Sequence, residues 1–392
     1  MTGTELDVDA PGSRHATNLE LFLDLVFVFA VTQVTSFVAH DLTVSGMGKG
    51  LLLAWLAWWQ WTAFTWAGTA VDLEDSATRR VMVLCMIPSA LVMAITLPQA
   101  LTTQSTWFAG AYWLVQVWVL AIQGVDAWKT PATRRAWAFY APVAAVAPTL
   151  LLLGSFFAGS TLLGVWIVAG ALNAVSALIG GRSRAEWSID PKHFAERHSL
   201  FVIITLGEVL VAIGANAAAR SESSGMDGPT LAAVIAAVGV ACVLWWSYFA
   251  YVPRVVEHTL AHPGPRGRGH VARNLCSFGH FPIVCGVISY AVVAKHLVQH
   301  PEGHLHLPDR LILLGSVVLF VGGILNLQFQ VSRSISWVRL AAIGSVAMVV
   351  AVGGLIPALA VVATVGAILG LMAMISFRRF QQTDMSRTLA GG

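Results

Sequence analysis

The chain has 392 residues, of which 57% are hydrophobic and 11% are charged, and its formal net charge is +3 at pH 7. Soluble domains carry about 25% charged residues, so this composition excludes an ordinary soluble enzyme. It also excludes a disordered chain and a nucleic-acid binder with a basic surface, and we expect no nucleic-acid partner. Apolar runs recur that are long enough to cross a bilayer as helices. The sequence therefore predicts an all-α polytopic membrane protein in contact with the lipid bilayer.

Twelve transmembrane helices are predicted from the apolar runs between charged or Gly/Pro-rich breaks. The first six cover residues 20–39, 50–70, 81–99, 107–125, 136–157 and 160–180. The second six cover residues 199–218, 229–252, 276–295, 310–331, 337–356 and 358–377.

The basic residues predict the orientation of these helices. With the N-terminus in the cytoplasm, 19 of the 23 Lys and Arg residues fall on cytoplasmic segments. The other four are Lys49, Arg220, Lys295 and Arg310. Because cytoplasmic loops of membrane proteins carry an excess of Lys and Arg, both termini are predicted to be cytoplasmic.

The two halves of the chain contain matching residues in the same order. Because six helices, an even number, separate the partners, both halves have the same orientation, which predicts a 6+6 parallel internal repeat. The predicted divisions are an N-terminal tail 1–18, a first repeat 19–181, a linker 182–198, a second repeat 199–377 and a C-terminal tail 378–392. The matches pair Arg14-His15 with Arg197-His198, Asp24 with Glu208, Trp58-Trp59 with Trp245-Trp246, and Pro88 with Pro282.

Glu20 and Asp24 lie in the first predicted helix, within NLELFLDLVFVFA. Because they are four residues apart, they share one helix face, with Asp24 about 6 Å deeper in the membrane. Ionisable residues inside a membrane helix are costly and indicate function. Both are therefore candidates for catalytic proton transfer, for binding a divalent metal, or for pairing with arginine. For Glu20, an alternative is a carboxylate that complements the helix dipole.

Glu208, within FVIITLGEVLVAIGAN, is the deepest predicted acid and lies about 15 Å into its helix, near the bilayer midplane. A carboxyl group at that depth needs a partner, a proton or a bound cation. Glu208 is therefore a candidate catalytic or ion-binding residue. Arg197 and His198, directly before this helix, are further candidates for binding a substrate or an ion.

Charged residues follow the second predicted helix at the cytoplasmic surface, within AVDLEDSATRR. Asp72 and Asp75 are candidate metal ligands together with Glu20 and Asp24. Arg80 is a candidate for binding phosphate oxygens. A solvated loop whose charges pair locally accounts for the same pattern.

Two tryptophans and one histidine complete the set of candidates. Trp59 and Trp246, in the second and eighth predicted helices, are candidates for lining a cavity that stabilises a cation, with plain packing as the alternative. His280, within SFGHFPIV, is a candidate acid–base group or proton relay. A hydrogen-bonded contact between helices is the alternative for His280.

Several segments give the chain a resemblance to one family. They are RHATNLELFLDLVFVFAVTQ, WWQWTAFTWAGTAVDLED with a following Arg, HFAERHSLFVIITLGEVLVAIG, LWWSYF, and the His of SFGHFPIVCGV. These segments resemble the bacterial low temperature requirement protein A (LtrA) family, in family order, over residues 14–290. The resemblance implies a multi-pass protein of the inner membrane and implies no particular biochemical activity.

Two functions follow from these residues. The first is translocation of an ion, proton or small solute, favoured by the predicted architecture and by the intramembrane carboxylates Asp24 and Glu208. The second is a membrane-embedded enzyme acting on a lipid or isoprenoid diphosphate, with carboxylates holding Mg²⁺ and arginines binding phosphate. No cofactor is expected for the first function, and Mg²⁺ is expected for the second. A membrane scaffold explains neither Asp24 nor Glu208.

Overall fold

A computed structural model describes residues 14–70, 73–180 and 189–390, and within these residues the chain forms helices and no strand. The first half contains α1 (Asn18–His40), α2 (Val44–Ala70), α3 (Ala77–Thr96), α4 (Ser105–Ala127), α5 (Pro131–Gly154) and α6 (Gly159–Gly180). The second half contains α7 (Pro191–Ser224), α8 (Gly228–Phe249), α9 (Val252–Ala261), α10 (Arg268–Val271), α11 (His280–Gln299), α12 (Leu307–Ser332), α13 (Trp337–Val352) and α14 (Ala358–Ala390). A π-helical segment, Ala272–Phe278, joins α10 to α11.

Each of the twelve predicted membrane helices coincides with one long helix of the described chain. Among the residues that the structure describes, ten helical segments are long and apolar enough to cross a membrane. The two long helices outside this set are α2 and α13. The first is rich in tryptophan and contains Gln60, and the second has 16 residues. The structure therefore confirms a multi-pass helical protein. Ten of its described helical segments satisfy the length and composition of a membrane span.

The outer surface of the helices is apolar, as contact with lipid requires. Large hydrophobic side chains such as Leu25, Val211 and Met348 are exposed there. Soluble proteins rarely expose such extended apolar surfaces. The lipid bilayer is therefore the partner of this outer surface.

Four helices, α1, α2, α7 and α11, meet in the interior and position the candidate site. Helix α1 packs against α2, α3, α7 and α11, and α7 packs against α8 and α11. Around them, α3, α4, α5 and α6 follow one another as neighbours, and so do α11, α12, α13 and α14. The contact between α1 and α7 brings together residues of two segments that are far apart in the sequence.

Side-chain caps determine where α1 and α7 begin. Thr17 and Glu20 form a reciprocal capping box, in which the Thr17 hydroxyl accepts from the Glu20 backbone N–H and the Glu20 carboxylate accepts from that of Thr17. Asp190 caps α7, with Pro191 in its first turn. Helix α7 therefore begins at Pro191, within the predicted linker 182–198. His193, Arg197 and His198 are consequently helical residues.

Candidate functional site

Two acids of α1 face the protein interior, on the single helix face that the sequence predicts. Glu20 and Asp24 are 1% and 0% exposed. Opposite them on α7 are His193 and Arg197, also four residues apart and buried. Because the spacings on the two helices are equal, Glu20 lies beside His193 and Asp24 lies beside Arg197. We call Glu20, Asp24, Trp61, His193 and Arg197 the charge cluster.

Asp24 and Arg197 form the tightest contact of the charge cluster. The Arg197 guanidinium donates from Nη1 to Asp24 Oδ2 at 2.5 Å and from Nη2 to Oδ1 at 2.8 Å. The indole Nε1 of Trp61 on α2 also donates to Oδ1, at 2.9 Å. Two parallel bonds match the planar fork of arginine to a carboxylate. Asp24 is therefore an anion held by three N–H donors.

Glu20 and His193 form the second contact of the charge cluster, one helical turn closer to the start of each helix. His193 Nε2 lies 3.0 Å from Glu20 Oε2, and His193 Nδ1 lies 3.2 Å from the hydroxyl of Thr69. The other oxygen, Glu20 Oε1, is 3.8 Å from Arg197 Nε, and neither of these two atoms has a hydrogen-bond partner among the described residues. A β-carbon at Gly68 would lie 2.5 Å from Glu20 Oε1, so the glycine provides the space for this carboxylate.

Aromatic rings surround the guanidinium of Arg197. Its central carbon lies 5.8 Å from the ring centroids of both Trp61 and Phe64. Aromatic faces stabilise a cation and at the same time exclude water. In such surroundings the removal of one charge of a pair leaves the other uncompensated.

His198 and His280 belong to a second buried group, next to the charge cluster. Their ring centroids are 5.3 Å apart, and both side chains are buried. His280 Nδ1 donates to the carbonyl oxygen of Leu275 at 2.8 Å, so its Nε2 accepts from the Tyr248 hydroxyl at 2.7 Å. His198 Nδ1 donates to the carbonyl oxygen of Phe194, and its Nε2 has no hydrogen-bond partner in the described part of the chain. The structure thus places two of the predicted residues side by side.

Glu208 lies apart from the charge cluster, further along α7. It is 4% exposed, and its carboxyl accepts a 2.5 Å hydrogen bond from the hydroxyl of Thr32 on α1. Thr32 is eight residues beyond Asp24, or about 12 Å along the helix. No basic residue of the described chain forms an ion pair with Glu208. The α1–α7 contact therefore holds acids at two depths.

The other predicted residues do not join either group. Trp59 stacks at an angle on Trp55 and borders a cavity of about 70 Å³, whereas Trp246 is 46% exposed on the outer surface. Arg80 is exposed and donates to the carbonyl oxygen of Glu74.

Three of the four candidate metal ligands, Glu20, Asp24 and Asp75, lie in the described chain. Asp75 is exposed, and Asp72 lies outside the described residues. Within the described ranges, no group of three or more His, Cys, Asp or Glu side chains is arranged to hold a metal ion. Glu20 and Asp24 instead bind His193 and Arg197.

Sequence reasoning did not single out His193 or Trp61. His193 precedes Arg197 by four residues, the same spacing that marks Glu20 and Asp24. That spacing is the signal that would have found it. It was hidden because the predicted helix began at residue 199, which left His193 and Arg197 in a linker.

Comparison with known proteins identifies the family. Residues 15–374 match the family described as Bacterial low temperature requirement A protein (LtrA). The chain belongs to the LtrA family. It is also 29% identical, over 324 residues, to an uncharacterized protein of Rhizobium meliloti (strain 1021). The aligned region covers 80% of this chain and 77% of that protein. No solved structure matches the chain. The region matched to the LtrA family contains every residue of the charge cluster, together with Glu208, His198 and His280.

Proposed function

We propose that this LtrA protein translocates an ion, a proton or a small solute across the bacterial inner membrane. The observation that carries the proposal is Glu208, a buried carboxyl whose one described partner is a neutral hydroxyl. A carboxyl in a membrane without a basic partner is stable as a neutral acid or with a bound cation. Such a group takes up and releases a proton or cation, which a structural ion pair does not do.

The charge cluster has a different part in this proposal. Because Arg197 and Trp61 satisfy both oxygens of Asp24, this carboxylate keeps one state and holds α1 against α7. Glu208 sits further along the same helix contact and is free to change its state. In this proposal the charge cluster holds α1 and α7 together, and Glu208 is the group that binds and releases the proton or cation.

A 6+6 parallel repeat, with units 19–181 and 199–377, fits this function. In its support, α1 packs against α2 and α3 as α7 packs against α8 and α11. The series α3 to α6 and α11 to α14 have matching neighbours. Transporters with such repeats place their sites between the two units, where α1 meets α7. Both termini are cytoplasmic in this proposal.

A membrane-embedded enzyme acting on a lipid or isoprenoid diphosphate is less well supported. It needs carboxylates that hold Mg²⁺ and arginines that bind phosphate. Asp24 already binds Arg197 through both oxygens, and Asp75 is exposed. Mg²⁺ would have to compete with a buried guanidinium for Asp24.

Flux measurements in proteoliposomes test the proposal. Vesicles containing dyes selective for protons, Na⁺ or K⁺ receive a K⁺ diffusion potential or a gradient of one of these ions, and the internal concentration of each ion is followed. We expect flux from the wild type, none from Glu208→Gln, and unchanged flux from the matched control Asp75→Asn. Absence of flux under every gradient would overturn the ion and proton forms of the proposal. Loss of function in Asp75→Asn and Arg80→Gln, with Glu208→Gln active, would favour the enzyme.

A further inference from the structure

A large cavity with a mixed polar and apolar lining lies at the opposite end of α1 from the charge cluster, between α1, α2, the segment after α3, and the start of α6. Its volume is about 840 Å³. In the predicted orientation it opens on the extracytoplasmic side. Its lining includes Gln33, Ser36, Phe37, Asp41, Lys49 and Ser160.

Two opposite charges line this cavity without pairing. Asp41 is fixed in place, because the backbone N–H and hydroxyl of Thr43 donate to its Oδ1 at 3.1 and 2.6 Å. A β-carbon at Gly46 would lie 2.6 Å from the same oxygen, so the turn packs closely on the carboxylate. The hydrogen bonds from Thr43, with a smaller effect of the Lys49 ammonium, lower the pKa of Asp41. No ion pair between Asp41 and Lys49 is found in the described chain.

The remaining lining divides into donors and an apolar wall. The side chains of Gln33, Ser36 and Ser160 face the cavity and make no hydrogen bonds to the described residues. Phe37 and Leu163 provide an apolar side. Pockets for small molecules combine such apolar walls with a few polar groups that fix orientation.

From this arrangement we propose that the cavity binds a small zwitterionic solute with an apolar side group, of the chemical class of aliphatic amino acids. The solute carboxylate binds the ammonium of Lys49, its ammonium binds the carboxylate of Asp41, and its side group lies against Phe37 and Leu163. One solute then satisfies two charges that the protein leaves apart.

The position of the cavity connects it to Glu208, and this step rests on the proposed function. Ser36 in the cavity wall is four residues from Thr32, so the two lie on one face of α1, one turn apart. Thr32 donates to Glu208. The hydrogen bond to Glu208 therefore lies one turn of α1 from the cavity wall, and in this proposal the solute is the transported partner of a proton on Glu208.

Protection of an introduced cysteine tests the binding site directly. Ser36→Cys and Ser160→Cys are made separately, and the purified protein is labelled with a charged maleimide, using the parent chain with its four cysteines as background. At ten times its dissociation constant, L-leucine is expected to slow labelling about tenfold. The single-charge analogues 4-methylpentanoate and isoamylamine are expected to give little protection.

Charge variants separate this site from a general effect of leucine. Lys49→Gln and Asp41→Asn are each expected to abolish protection, whereas the matched control Lys295→Gln, a lysine outside the cavity lining, is expected to keep it. Because Asp41 also fixes the turn at Thr43, Lys49→Gln is the decisive variant. Failure of leucine to protect either cysteine, or protection retained in Lys49→Gln, would overturn the inference. Protection without any flux in vesicles would overturn the transport function and leave the binding site standing.

Discussion

Thr32 on α1 and Glu208 on α7 are joined by a 2.5 Å hydrogen bond across the contact between the two helices. The residues that follow Glu208 on α7, Leu210 and Val211, are 48% and 62% exposed on the apolar surface. Glu208 thus lies within one helical turn of residues on the apolar surface, whereas Asp24 is enclosed by Arg197 and Trp61. The two acids therefore differ in their partners: Asp24 binds a guanidinium and an indole, and Glu208 binds a neutral hydroxyl.

Reaction with dicyclohexylcarbodiimide is expected to distinguish these two acids. This apolar reagent reaches carboxyl groups from the lipid phase and modifies their protonated form. We expect modification of Glu208 and not of Asp24, because Asp24 is a buried anion paired with arginine. Mass spectrometry of the digested protein identifies the modified residue, and Glu208→Gln is the control. Equal modification of Asp24 would contradict the distinction.

Disruption of the Asp24–Arg197 pair is expected to be costly when only one partner is removed. Asp24→Asn or Arg197→Gln leaves an uncompensated buried charge, and each is expected to lower the free energy of unfolding by about 3 to 5 kcal/mol. The double variant is expected to lose less free energy of unfolding than the two single variants lose in sum. Unfolding in mixed micelles with increasing SDS measures these values. Strict additivity of the two single effects would show that the pair is not coupled.

A matched control exists for this double-mutant cycle on the protein surface. Arg80 is exposed and donates to the carbonyl oxygen of Glu74. Arg80→Gln is expected to change the free energy of unfolding by no more than about 0.5 kcal/mol. A loss as large as that of Arg197→Gln would indicate that arginine removal is harmful at any position.

Gly68→Ala is expected to disturb the charge cluster through a single methyl group. The new β-carbon would meet Glu20 Oε1 at 2.5 Å and displace the carboxylate from His193. We expect destabilisation of about 1 to 3 kcal/mol, as for other overpacked sites. Gly110→Ala is the control, since nothing lies within 4 Å of its β-carbon, and it is expected to be neutral or stabilising. The same loss in both variants would argue against crowding at Glu20.

The stability contributed by Asp41 is expected to depend on pH. Hydrogen bonds from Thr43 lower the pKa of Asp41 below its ordinary value of 3.8. Because the pKa is lower in the folded state, this contribution is present above 3.8 and is lost as the pH falls through the lowered pKa. Thr43→Val removes the hydroxyl donor. We therefore expect its thermal unfolding midpoint to lie below that of the wild type at pH 7 and to approach it near pH 3.

The control for this pH dependence is another threonine at the same end of the protein. The hydroxyl of Thr102 donates to the carbonyl oxygen of Gln99 and not to a carboxylate. Any effect of Thr102→Val is therefore expected to be the same at pH 7 and pH 3. A pH-independent difference for Thr43→Val would show that Asp41 is not its cause.

The sequence was sufficient to locate the long helices and the buried acids. An apolar run inside the membrane forms a helix because a helix satisfies all the backbone hydrogen bonds within the segment. The length of the run therefore sets the length of the helix. The spacing of Glu20 and Asp24 predicted one shared face, and both side chains are buried together. Local rules of this kind need no knowledge of the neighbouring helix.

The partners of these acids could be identified only from the tertiary structure. Polar residues at the start of α7 lowered the apolar character of that segment, so His193 and Arg197 were assigned to a linker. Trp61 and Trp59 are nearly adjacent in a tryptophan-rich helix, and only the packing of α2 on α1 selects Trp61 as the donor to Asp24. Trp246, chosen because it matched Trp59 in the second half, faces outward instead.

The pairing of α1 with α7 has a consequence for biosynthesis. Arg197 follows Asp24 by 173 residues. At about 5 to 20 residues per second, the ribosome needs roughly 9 to 35 s to make that stretch. During this interval the first turns of the first helix carry two acids whose basic partners do not yet exist, and the cost of a charge there is at most the roughly 3 kcal/mol of one at the bilayer centre. The first helix therefore reaches its final packing only after α7 has been made, and the folded first half of the chain depends on the second.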